Sequence, residues 1–495
     1  MITTPHVDWF AISTILVLLG ASAIALLGAV LVPRPWRRPF AATVAGLGAL
    51  GGIVTSVWLY VDSAGGHRVI ADAFYRDRWT ALAQVILCAT ALVTVLLSVE
   101  HIVRNDDEHV AEFFALLLAS TAGMAFFVGA ANLMTLFLSL EWFSIALYIM
   151  CAIDYDLEGS LEAGLKYLIV GSFGSAALLF GSALVYGATN HIGFVEIASA
   201  VGQHGLSGDL LLVLGLAMML AGLSFKSSAA PFHMWTPDVY VGAPTPVTAF
   251  MSAATKVAAL VLTMRVVQTA FPQEAHLWSW ALAGIAVASL VIGNFAALVQ
   301  RDVKRLLAYS SISHAGFMLI GLSVGTALGA RALMYYLIPY SAMSFGAFAI
   351  VAVRERELGT RVTLENLAGF GWERPFLGVA MWFFAFGFAG LPLGGGFVGK
   401  FYVLAAAYKH GWTWLVIVGV FATLVSLYYY LGIVRAIYMR PSAELQVAPV
   451  SGGSPAREPF VHVAVGAALA VSVGSLFAVQ PLITLAKHAA SVLPF

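Results

Sequence analysis

Four ionisable side chains stand where an apolar chain should carry none. Glu141 lies in "NLMTLFLSLEWFSIALYIMCAI", Lys226 in "LSFKSSAAPFHMWTPDVY", Lys256 in "TPVTAFMSAATKVAALVLTMRVV" and Lys400 at the end of "GFAGLPLGGGFVGK". A charge at the centre of a bilayer costs roughly 2.5–3.5 kcal/mol on insertion scales, so such residues face a partner or a water-filled cavity. One carboxylate with three lysines is a set suited to proton transfer. Burial disfavours a lysine's charged form and a nearby carboxylate favours it, so moving the carboxylate switches the lysine between holding and releasing a proton. At about 4 Å and an effective dielectric of about 20, such a pair is worth about 4 kcal/mol. Lysines also repel Na⁺, which makes protons the better cargo.

Each residue has a second reading. Glu141 as a neutral carboxyl hydrogen-bonds Ser139 or Ser144. Lys226 snorkels to the headgroups, or Lys256 binds backbone carbonyls. Against snorkelling, the chain stays apolar through "AAPFHMW" beyond Lys226. Pro231 should break the helix there and free backbone groups near Lys226 and Ser227, which is tolerated at membrane depth where backbone lines protein or water. Thr248 and Ser252 precede Lys256 on one helical face and form a polar stripe. His233 and His314, the latter in "YSSISHAGFML", are suited to proton relay or equally to hydrogen bonding between packed helices. Lys166 and Arg265 lie near span ends and read as snorkelling side chains.

The elements that hold these residues follow from composition. The chain is 61% hydrophobic and 10% charged, against about a quarter charged in soluble domains. Its apolar segments run about 18–25 residues, the length of a spanning helix. Short alternating segments of a membrane β-barrel are not seen. The expected fold is an all-α polytopic membrane protein with about fourteen transmembrane helices. Spans seven, eight and twelve are expected at about 208–230, 243–270 and 375–394, a short further piece at about 396–409, and the last span at about 460–486. The first, at about 9–32, is too long to read as a cleaved signal peptide. "TNHIGFVEIASAVGQHGLSGD" (189–209) reads as a connection and "APVSGGSP" (448–455) as a loop.

Lys and Arg cluster in alternate loops: Arg34, Arg37 and Arg38; Arg301, Lys304 and Arg305; Arg354, Arg356, Arg361 and Arg374; Arg435, Arg440 and Arg457. These loops face the cytoplasm by the positive-inside rule, which puts both termini on the outer side. Cys88 and Cys151 lack metal-ligand spacing and read as apolar fillers. Net charge is zero, without the basic patch that nucleic acid needs. A phosphate-binding glycine loop, a cysteine cluster for iron–sulfur and a dinucleotide fingerprint are not seen. "GLPLGGG" interrupts a span instead.

Spans seven and twelve are therefore both interrupted, each with a lysine at the break. Broken helices at matching positions of two halves point to inverted repeats. The expected organisation is three N-terminal helices in 1–108, two inverted five-helix repeats in 109–274 and 275–442, and a cytoplasmic loop with helix fourteen in 443–495.

"FKSSAAPFHMWTPDVYVGAPTPVTAFMSAATKVAAL" (225–260) resembles the signature region of the antiporter-like subunits of respiratory complex I. "NFAALVQRDVKRLLAYSSISHAGFML", "GLPLGGGFVGKFYVLAAA" and "SLYYYLGIVRAIYM" closely resemble the subunit N branch of that family, the counterpart of mitochondrial subunit two. The resemblance runs from about 112 to 440. Three features favour N over its paralogues L and M: the chain ends soon after span fourteen, Lys400 stands where the M pattern has a glutamate, and "TPDVY.GAP" is N wording. The resemblance implies proton translocation through two half-channels, driven by quinone reduction elsewhere in an NADH:quinone oxidoreductase of the bacterial inner membrane. It implies the roles too. Glu141 and Lys226 form the pair of the cytoplasmic half-channel, Lys256 connects, Lys400 ends the second half-channel, and His233 and His314 are possible relays. No cofactor is expected in this chain; NADH, FMN, iron–sulfur clusters and quinone belong to partner subunits. An M-type antiporter-like subunit and a small K-type subunit are the expected neighbours, with the lipid bilayer. Subunits of a multisubunit Na⁺/H⁺ antiporter, a membrane-bound hydrogenase, or an F420H₂- or ferredoxin-linked complex stay open as alternatives.

Overall fold

A computed structural model describes residues 7–101, 109–439 and 458–495 of the chain. Nearly all of them are helical, as a backbone in hydrocarbon requires, since each N–H and C=O must find its partner within its own segment. In chain order the helices are α1 (Ser13–Leu31), α2 (Arg34–Asp62), α3 (Arg78–His101), α4 (Val110–Phe127), α5 (Leu133–Cys151), α6 (Glu158–Thr189), α7 (Phe194–His204), α8 (Leu210–Lys226), α9 (Trp235–Gly242) and α10 (Thr245–Thr269). There follow α11 (Ala275–Leu298), α12 (Val303–Ser323), α13 (Ala327–Leu358), α14 (Phe370–Glu373), α15 (Pro375–Ala389), α16 (Gly395–Lys409), α17 (Thr413–Met439), α18 (Pro459–Phe477) and α19 (Val479–Ala490). Among the described residues, 12 helices are long and apolar enough to cross a membrane, and α8 and α15 are shorter apolar helices.

The core is built around α10, every residue of which is buried. α12 and α13 pack beside it and are nearly as enclosed. α2, α6, α17 and α18 bury only 33% of their most apolar stretch. They turn Leu, Ile, Val and Phe outward, a surface that lipid or an apolar partner covers.

Several expectations change. The connection 189–209 contains α7, whose Phe194, Ile197, Ala200 and Val201 form a buried stripe at helical spacing. The last span, expected as one helix, divides at Ala478 into α18 and α19. A short hairpin, His67–Val69 with Phe74–Arg76, occupies the loop before α3. Arg265 does not snorkel. It is 1% exposed, and its guanidinium donates to both carboxylate oxygens of Asp77 at 2.7 and 2.9 Å while its face lies over Tyr75. Lys304 is also buried rather than a loop charge, with Nζ donating to the Ala243 carbonyl and to Thr245 Oγ1 at 3.0 Å each. Arg354 is enclosed too and donates to Glu373 and Glu357. Lys166 is half-exposed and paired with Glu162 and Asp238. Arg440, Arg457 and the loop 448–455 lie outside the described residues.

The proline is not what stops α8. The helix ends at Lys226, and Ser228 adopts left-handed φ +63°. The Ser228 N–H bonds the Phe225 carbonyl and the Ala229 N–H bonds the Ser224 carbonyl. That pair of bonds is a Schellman motif, which satisfies the last carbonyls and turns the chain out of the helix. Pro231 follows on the exposed side. α15 ends the same way: Gly390 has φ +80°, its N–H bonds the Gly387 carbonyl, and the Leu391 N–H bonds the Phe386 carbonyl.

Candidate proton-transfer site

Lys226 is the last residue of α8, where the partial negative charge of a helix C-terminus favours a cation. It is 1% exposed, and its Nζ has no hydrogen-bond partner. Aromatic rings surround it instead. The centroids of Phe143, Tyr148, Tyr167 and Phe225 lie 5.2, 5.4, 5.1 and 5.8 Å from Nζ. Each is within the ~6 Å at which a ring face attracts an ammonium. The rings come from α5, α6 and α8, so three helices must keep register for the cage to exist.

Glu141 on α5 lies within electrostatic reach of Lys226, yet no hydrogen bond joins them. Its Oε1 is buried without a partner. Ser139 and Ser144 do not supply one, since their hydroxyls donate to backbone carbonyls one turn back. Carboxylate and ammonium thus stand apart. Leaving such groups unpaired costs roughly 1–3 kcal/mol or more each, so closing the pair is favoured by any small movement that allows it.

Lys256 is fully buried at the middle of α10, and its Nζ likewise lacks a partner. The stripe of Thr248 and Ser252 is engaged elsewhere. Thr248 donates to the Tyr240 carbonyl, and Ser252 accepts from Ser344 of α13.

Lys400 stands in the second turn of α16, past the break rather than before it. Its stem folds back toward Gly390, where an added Cβ would meet Lys400 Cδ at 3.0 Å. Its Nζ lies 4.5 Å from the centre of Phe317, the one ring under it among the described residues. His314 on α12 is 2% exposed and within electrostatic reach of both Lys256 and Lys400. Its Nδ1 meets Tyr336 Oη at 2.7 Å and its Nε2 meets Tyr430 Oη at 3.0 Å. A neutral imidazole donates through one nitrogen and accepts through the other, so the ring joins the two tyrosines. His233 stands apart from this cluster in the turn after α8, half-buried, with Nδ1 unpartnered.

The buried hydroxyls escaped sequence reasoning. Ser310 bonds Tyr430, Ser311 bonds Tyr340 at 2.9 Å, and Tyr429 donates to Asn294 at 2.9 Å. A tyrosine in an apolar span reads as packing. The only available signal was its recurrence, in "YYLIPY" and "LYYYL". No group of three or more His, Cys, Asp or Glu among the described residues is placed to hold a metal ion.

Residues 130–426 match the family described as NADH:quinone oxidoreductase/Mrp antiporter, TM. The chain is 41% identical over 374 residues to NADH-quinone oxidoreductase subunit N of Trichlorobacter lovleyi, covering 76% of this chain and 77% of that one. It is 38% identical over 449 residues to the subunit N of Parvibaculum lavamentivorans, covering 89% and 90%. Its fold superposes with TM-score 0.79 on a chain of respiratory complex I from Thermus thermophilus, at 31% identity over 96% of this chain and 99% of that one. Buried charges on helices α5, α8, α10 and α16 together with these likenesses lead to one conclusion: the chain belongs to the subunit N branch of the NADH:quinone oxidoreductase/Mrp antiporter membrane family.

Proposed function

We infer that the chain is the proton-translocating N-type subunit of the membrane arm of an NADH:quinone oxidoreductase. The observation that carries this reading is Lys226, a buried cation at a helix break with neither hydrogen bond nor ion pair, caged by four rings and within reach of Glu141. A structural lysine would be paired; one that must gain and lose a proton is held by rings that attract the cation without trapping it. In this reading Glu141 and Lys226 load a proton from the cytoplasm, Lys256 passes it on, and Lys400 releases it outside, with His314 between the last two. His233 lies along the turn that leads in.

The same reading takes α4–α10 and α11–α17 as two inverted repeats within 109–274 and 275–442, interrupted at α8–α9 and α15–α16, with fourteen spans in all. The shared Schellman geometry at the two interruptions supports it. The outward apolar faces fit M-type and K-type neighbours and lipid, the redox groups lie in partner subunits, and the termini face outward from the bacterial inner membrane.

The test is to replace Lys226 and Glu141 by alanine in the whole complex and reconstitute it in liposomes. Assembly should persist while proton uptake per NADH oxidised falls. An assembled double variant that pumps like wild type would remove the basis of the reading.

A further inference from the structure

Three buried hydroxyls beside the first break lack partners: Ser228 Oγ, Thr236 Oγ1 and Tyr240 Oη. All three residues are 0% exposed. Thr236 and Tyr240 sit four residues apart on α9 and so share one face of it. The Ser228 hydroxyl follows Lys226 by two residues in the Schellman turn. Ser228, Ser311 and Tyr340 are polar neighbours of Tyr240, although none is bonded to it in this conformation. On the far side the bonds are already made: Ser311 to Tyr340, and Tyr340 Oη to the Ser252 carbonyl at 3.3 Å on the helix of Lys256. Tyr240 packs its ring edge-on against Phe348, with centroids 5.8 Å apart. Phe348, Ser310, Ser311, Tyr340 and Ser344 line a narrow gap too thin to seat a water molecule.

A buried hydroxyl without a partner costs roughly 1–3 kcal/mol. Two of them, Ser228 and Tyr240, are neighbours of one another and of Ser311, so another arrangement of the same side chains can satisfy both.

We propose that the Tyr240 hydroxyl is a proton-carrying switch that joins the Lys226 pocket of the first half to the Ser311–Tyr340 hydroxyls of the second. In the closed arrangement Ser228, Tyr240 and Ser311 form one chain of hydrogen bonds. A proton reaching Tyr240 Oη from the Ser228 side forms a new O–H bond, and the original O–H bond breaks toward Ser311 Oγ. Tyrosine is neutral before and after, and one positive charge has crossed. Rotation back to the observed, unbonded arrangement breaks the wire, so the halves are connected only when the switch is closed. This rests on the proton-translocating reading above, with Tyr240 added to its residues.

The test uses the intact complex in liposomes, with proton uptake per NADH oxidised as the readout and Lys226→Ala as the benchmark. Tyr240→Phe keeps the ring against Trp235 and Phe348 and removes only the hydroxyl. Loss of a positioned proton carrier slows transfer by roughly 10²-fold or more, so Tyr240→Phe should lose as much pumping as Lys226→Ala. Wild-type pumping by Tyr240→Phe beside an impaired Tyr240→Leu makes the role one of ring packing and overturns the switch. Should Tyr240→Phe fail to assemble, Ser311→Ala tests the same link from the other side, where loss of pumping upholds it and wild-type pumping ends it. Wild-type pumping by Lys226→Ala sinks the parent reading instead, so the two failures are told apart.

Discussion

At the first break α8 stops in a Schellman motif at Ser228, and at the second α15 stops in the same motif at Gly390. A proline follows each, Pro231 and Pro392, and a new helix starts within a few residues. The lysines differ. Lys226 closes its helix, at the end whose dipole favours a cation, inside four rings and near a carboxylate. Lys400 comes after its break, over one ring, with no carboxylate acting on it and a histidine bridging two tyrosines nearby. The first site surrounds its lysine with groups that favour a positive charge. The second surrounds its lysine with neutral hydrogen-bonding groups. Equal backbone devices therefore serve unequal electrostatic tasks.

The largest effect tests the backbone packing at the second break. A Cβ on Gly396 would lie 2.2 Å from the Gly387 carbonyl oxygen, backbone that cannot step aside. Gly396→Val should cost about 3 kcal/mol or more and leave no assembled complex on native gels. If the complex assembled normally, the close packing of α16 on α15 would not be what shapes the second break.

Next come the rings. A desolvated cation–π contact is worth about 2 kcal/mol. Phe143 is one of four such rings at Lys226, whereas Phe317 is alone at Lys400. Phe317→Leu should therefore reduce pumping more than the identical change at Phe143, by up to about 30-fold. Equal losses would mean that the cage at Lys226 does not share its task among rings.

The two breaks also show what a sequence displays. A lysine in an apolar run is visible because nothing local explains it, and all three candidates stood out that way. The helical membrane fold was equally plain from composition. Partners distant in sequence were not. Arg265 reads as snorkelling until Asp77, 188 residues away, is placed against it. Ser228 gave no sign of a helix stop because left-handed backbone usually announces itself as glycine, as Gly390 does. Pro231 stands three residues beyond a turn that Ser228 has already completed. The tyrosines around His314 were hidden because their rings satisfy the apolar pattern and their hydroxyls do not disturb it. α7 was hidden by polar flanks in a short segment.

Gly390→Ala is a smaller perturbation. A left-handed residue with a Cβ costs about 1–2 kcal/mol, and the new methyl would sit 3.0 Å from Lys400 Cδ. The variant should assemble with a lowered thermal midpoint and reduced proton uptake per NADH, because the lysine stem must shift. A lowered midpoint with full pumping would separate the position of Lys400 from its task.

The smallest change inverts that one. Ser228 already bears the strain that Gly390 avoids, so Ser228→Gly should raise the thermal midpoint by the equivalent of about 1 kcal/mol. Residues held in strained backbone persist where something else is gained from them. Here the gain is a hydroxyl beside Tyr240, and stability should rise while pumping falls. Ser228→Ala separates the two contributions, since it keeps the left-handed strain and loses the hydroxyl. It should pump as poorly as Ser228→Gly without the gain in stability. If Ser228→Gly instead pumped like wild type, the serine would be only a tolerated stand-in for glycine. The two breaks would then differ in their lysines alone.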